Sequence, residues 1–166
     1  MSRDTGRADV YAAEEIMQKM IDRANQHGLT TLTIAGSTIA VPMERKFGDL
    51  GSVQTYVDQV MARVREDYPR VPKKVTVRAR KGDGKAHYER LGSVIAIPPH
   101  QSWARSWAMR ELVVLHEIAH HLSRDAAQSH GPQFLAAYLD LLERFVGPEA
   151  ALMLRVVAHE GGVKVG

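Results

Sequence analysis

The chain has 166 residues, of which 45% are hydrophobic and 25% charged, with no cysteine and a formal net charge of +3. That length suits one domain around one core, and the missing thiols exclude disulfides and thiolate metal ligands. No apolar run approaches the ~18 residues a membrane span needs, and Met1 to Asp9 is polar rather than built like a secretory leader, so a cytoplasmic protein is expected.

Val10, Ala13, Met17, Met20 and Ala24 recur at steps of three and four, which predicts an amphipathic helix ending near Gly28. Leu32 and Ile34, then Ile39 and Val41, alternate with polar residues around Gly36-Ser37, the pattern of a β-hairpin closed by Pro42. Val53, Val57, Val60 and Val64 mark a second helix face that Pro69 stops.

Val75, Val77 and Ala79 alternate with Thr76, Arg78 and Arg80 as a strand, and Gly82-Asp83-Gly84 is a turn. Ala86 to Leu91 and Val94 to Ile97 are two more strand candidates, ended by Pro98-Pro99. A long helix is expected from about Ser102 to Ser123, packed through Trp103, Trp107, Leu115, Ile118 and Leu122. Another starts at Pro132 and buries Phe134, Leu135, Tyr138, Leu142 and Phe145 before Gly147. A last one covers Pro148 to His159, and 161–166 is expected to be a flexible tail. The order is that of an α+β fold, residues 1–166 forming a single domain.

Charge is unevenly placed. Arg63 to Lys85 carries nine Lys or Arg against three acids, a local +6 that leaves −3 elsewhere. Such a block attracts phosphates or acidic partners, and it equally suits the solvated side of a helix and strand. No aromatic residue alternates with the basic ones as a single-strand binder requires.

Chemistry concentrates in His116-Glu117-Ile118-Ala119-His120, an HExxH motif inside the apolar run Leu112 to Leu122. On a helix, residues four apart stand one turn above each other, so both imidazoles reach one metal ion. Glu117, about 100 degrees round, addresses the water beside it. A catalytic zinc takes three protein ligands and keeps one position for water. Residue 126 is Ala, so the third histidine of an HExxHxxGxxH pattern is missing and the ligand comes from elsewhere. His130, ten residues beyond His120 and just before Gly131-Pro132, is the leading candidate, with Glu143 and Asp125 as competitors. His121 points a full 100 degrees away from His120 and reads as surface or packing. His27, His87, His100 and His159 have no spacing that links them to the motif. Tyr88 or Tyr138 could supply an oxyanion donor, and Asp125, Asp140 or Glu143 could orient a ligand.

The pattern HExxH followed by His130-Gly131-Pro132-Gln133-Phe134, with the strand Val94 to Ile97 ahead of it, resembles the SprT-like zincin metallopeptidases. More closely, the chain resembles an actinobacterial and phage family of HExxH metallohydrolases of similar length, a match over most of its residues. The resemblance implies a zincin-like fold, zinc on His116, His120 and His130, and Glu117 as the catalytic base. It also implies that Val94 to Ile97 is an edge strand pairing with an extended peptide substrate. The interval between His120 and His130 is shorter than in many SprT-like proteins, and there is no appended cysteine-rich zinc ribbon, so DNA–protein crosslink repair is not implied. The expected activity is zinc-dependent hydrolysis of amide bonds. Hydrolysis of a non-peptide bond is another reading, as is a structural or regulatory zinc site in a protein that binds nucleic acid or an acidic partner through 63–85.

Overall fold

The computed structural model describes residues 6–82, 84–98, 108–124 and 128–163, which form an α+β structure. Two units can be distinguished, Met1–Met43 with Asp125–Gly166, and Glu44–Arg124.

In the first unit, α1 (Arg7–Gln26) buries Val10, Ala13, Met17, Ile21 and Ala24. Ile21 rather than Met20 completes the predicted face, Met20 being half-buried. Gly28 at φ 64 turns the chain, and Leu29 donates its N–H back to Ala24 O. β1 (Thr31–Ile34) and β2 (Ser37–Ala40) pair antiparallel with Ile34 opposite Ser37. The turn is therefore Ala35-Gly36, one residue earlier than expected, with φ 48 and 77. Two successive positive φ values match the right-handed twist of the flanking strands. α4 (Pro132–Phe145) and α5 (Pro148–Glu160) meet at Gly147, whose φ of 141 only glycine adopts readily. α5 packs on both α1 and α4. Of the residues expected inside α4, Phe145 is half-buried and the others are buried. Residues 161–163 still belong to the end of α5, because Val163 donates to Ala158 O and Gly162 to His159 O. The rest of the expected tail, 164–166, lies outside the described residues.

In the second unit, Asp49 caps α2 (Leu50–Val64) by accepting from Ser52 N at 2.7 Å, and the four predicted valines are fully buried. β3 (Thr76–Ala79), β4 (His87–Glu89) and β5 (Val94–Ile97) form a sheet in the order β3-β5-β4, parallel on one side and antiparallel on the other. This corrects the expectation of an edge at Val94 to Ile97. β5 is the central strand, with Ile95, Ala96 and Ile97 buried. Its uninterrupted apolar run is what a strand covered on both faces requires. The outer side of β3 is covered by the Gln54 amide, which donates to Val75 O at 2.9 Å and accepts from Val77 N at 2.7 Å.

α3 (Glu111–Leu122) is buried along its whole length and packs on β4 and α2. It starts later than the predicted Ser102. Trp103, Trp107 and the rest of that stretch up to 107 lie outside the described residues. Arg110, however, is extended at φ −117 and ψ 150. Its flanking peptides are occupied by a bridge to the segment after Pro42: Phe47 N donates to Met109 O at 2.8 Å and Glu111 N to Arg45 O at 2.9 Å. A backbone engaged sideways in that way cannot also continue the helical ladder. No helix among the described residues is long and apolar enough to cross a membrane.

Candidate metal centre

α3 carries the HExxH residues on a helix held at both ends. At its N-terminus the Glu44 carboxylate accepts from Leu112 N at 3.3 Å and pairs with the Arg110 guanidinium, placing negative charge where the helix dipole favours it. Glu111, fully buried, accepts from Arg45 N, from the Arg45 guanidinium and from Tyr56 Oη at 2.7, 2.6 and 2.5 Å. The Glu111 carboxylate holds the Arg45 guanidinium above its ordinary pKa. Burial, then the bond to Glu111, pushes the Tyr56 phenol well up. At the other end Arg90 donates to Ser123 O at 2.9 Å. The sequence reading missed Glu44, Arg45, Tyr56, Arg110 and Glu111. The available signal was Glu111, a charged residue opening an otherwise apolar helix.

Within this frame His116 and His120 lie one turn apart, 3% and 8% exposed, with their Nε2 atoms 3.1 Å from each other. Two nitrogens each about 2.0–2.1 Å from a tetrahedral ion would stand about 3.3 Å apart, so the pair is spaced for one zinc-sized ion. Glu117 between them is buried as well. His130, buried at 6%, is ringed by Tyr11 and Phe134, with Ser129 Oγ 3.3 Å from its Nδ1. His116, His120 and His130 are all buried, and each offers a ring nitrogen that could hold a metal ion. The donors fit: three imidazoles and no thiolate suit zinc and equally suit other imidazole-preferring metals.

Of the competing ligands, Glu143 is not part of this group. Glu143 is exposed on α4, next to an Arg144 that binds Asp140 at 2.8 Å. Asp125 lies outside the described residues. His121 is buried and serves packing. Its Nε2 donates to Pro72 O at 2.7 Å, which fixes the tautomer and leaves Nδ1 to accept from the Tyr88 hydroxyl at 2.8 Å. Burial lowers the His121 pKa, in keeping with a neutral ring. The Tyr88 hydroxyl is thereby engaged with His121, and Tyr138, the other oxyanion candidate, is fully buried on α4. His27 and His159 are exposed and His87 pairs with Glu89 at 3.0 Å. His100 lies outside the described residues.

The basic region spreads over the end of α2, the following loop and β3. Arg78 is paired with Glu89, Arg80 donates to Lys85 O, and Lys73 and Lys74 are exposed.

Comparisons of this chain with protein-family models, with curated proteins and with solved structures returned no match.

Proposed function

We propose that this chain is a zinc-dependent hydrolase of amide bonds with a zincin-like fold, related to the SprT-like and actinobacterial HExxH enzymes its motifs resemble. The observation that carries the reading is the His116–His120 pair, 3.1 Å apart at Nε2 on a buried helix, with His130 as a third buried imidazole. These three residues would hold the ion. When bound, zinc lowers the pKa of water toward 7 and polarises a carbonyl.

The protein's own contribution starts with Glu117, which takes the proton of the attacking water and passes it to the leaving nitrogen. α3 serves as a fixed platform: its ends are tied by Glu44, Glu111 and Arg90, so the two imidazoles and Glu117 keep their mutual geometry. An extended peptide is best seated not on β5 but along the outer side of β4, which forms no backbone hydrogen bond there among the described residues.

Elemental analysis of the purified protein beside His130→Ala and Glu143→Ala tests the ligand set. One zinc per chain in the wild type and in the Glu143 variant, with loss in the His130 variant, is expected. Zinc retained without His130 and lost without Glu143 would overturn it.

A further inference from the structure

The ring of His130 is enclosed by two aromatic side chains. Tyr11 of α1 lies 5.1 Å from it, centroid to centroid, tilted at 51°, and Phe134 of α4 lies 5.0 Å away at 61°. Arg7, one turn before Tyr11, places its guanidinium 5.7 Å from the Tyr11 ring centre. The backbone of His130 is also approached closely, since a Cβ on Gly6 would stand 3.0 Å from the His130 carbonyl oxygen. The start of α1 therefore meets His130 twice, at its main chain through the N-cap Gly6 and at its ring through Tyr11 one turn further on, although the two segments lie over a hundred residues apart in sequence.

His130 precedes its helix rather than standing inside one: α4 is capped by Gly131 and begins at Pro132. An imidazole on an α-helix such as His116 is oriented by its own turn. One on the residue before a cap keeps both side-chain torsions to be fixed by neighbours. Phe134 belongs to the same short stretch of chain and can bound the ring on one side only. The second wall is Tyr11.

We infer that Tyr11 is a positioning residue for the metal, its ring holding the His130 imidazole in the orientation in which it ligates. This rests on the proposed reading of His116, His120 and His130 as ligands. The effect is assigned to the ring, because the observed relation is between ring planes.

The test measures zinc affinity by competition with a chromophoric chelator, on the full chain, for wild type, Tyr11→Phe, Tyr11→Leu, Tyr11→Ala and His130→Ala. Thermal midpoints in excess chelator report the metal-free fold of each. Leu keeps the bulk and helical preference of the position and removes the aromatic face, so it remains informative where Ala fails to fold. Tyr11→Leu is expected to bind zinc about 10–100-fold more weakly, the usual cost of losing a group that orients a ligand. Its metal-free midpoint should stay near wild type, and Tyr11→Phe should restore the affinity. Wild-type affinity in Tyr11→Leu, together with loss of zinc in His130→Ala, would overturn the role of Tyr11 while leaving the ligand set intact. If His130→Ala bound zinc like wild type, the ligand set itself would fall, and the inference with it.

Discussion

The carboxylate of Glu111 accepts both the backbone N–H and the guanidinium of Arg45, joining positions 66 residues apart. The two partners differ in setting: the Glu111 side chain is wholly buried and that of Arg45 is 60% exposed. An ion pair with one end in water contributes little, whereas a buried carboxylate that satisfies Tyr56 and a backbone N–H has much to lose. Glu111→Leu should therefore cost roughly 1–3 kcal/mol in urea unfolding. Arg45→Met should cost under about 1 kcal/mol. Equal costs would show that the ion pair, not the carboxylate, anchors the start of α3.

On the proposed function, Glu117→Gln should abolish amide hydrolysis without loss of zinc, because Glu117 lies between His116 and His120 and is not one of the proposed ligands. The same variant and the wild type should both be stabilised by zinc, by about 2.7 kcal/mol when free zinc is 100 times its dissociation constant. Thermal denaturation with and without chelator reads this out. Full activity in Glu117→Gln would remove it as the base.

Tyr88→Phe separates two roles. If the hydroxyl only donates to His121 Nδ1, its loss should cost about 0.5–1.5 kcal/mol of stability and leave kcat within a few-fold. A fall in kcat of about 100-fold or more at unchanged zinc content would instead assign it to the oxyanion.

Asp49 supplies a pH-dependent increment. Its hydrogen bonds with Ser52 hold its pKa below the ordinary 3.8. The folded value is the lower one, so the stabilisation is fully present above the unfolded value and disappears as pH falls through the folded one. Asp49→Ala should lower the thermal midpoint at pH 7, and the difference should shrink as pH falls through the folded-state pKa. A difference of the same size at every pH would place the effect outside the carboxylate.

Much of this was legible in the residues. The valines of α2 and the apolar positions of α4 fell where a 3.6-residue period put them, and the hairpin followed from alternation and Gly36. The start of α3 was not legible, because nothing local distinguishes Arg110 from a helical residue. Its extended backbone is imposed by Lys46, its bridge partner. The turn was misplaced by one residue because Ala35, an unusual choice for positive φ, shares it with Gly36.

By itself the sequence determined the periodic elements and the HExxH spacing, since both are set by the rise and turn of a helix over a few residues. Only the tertiary structure decided that β5 is central, that Tyr88 is committed to His121, and that Tyr11 of α1 faces His130. Those relations join residues far apart along the chain, where local pattern carries no information and burial and hydrogen-bond satisfaction decide which groups meet.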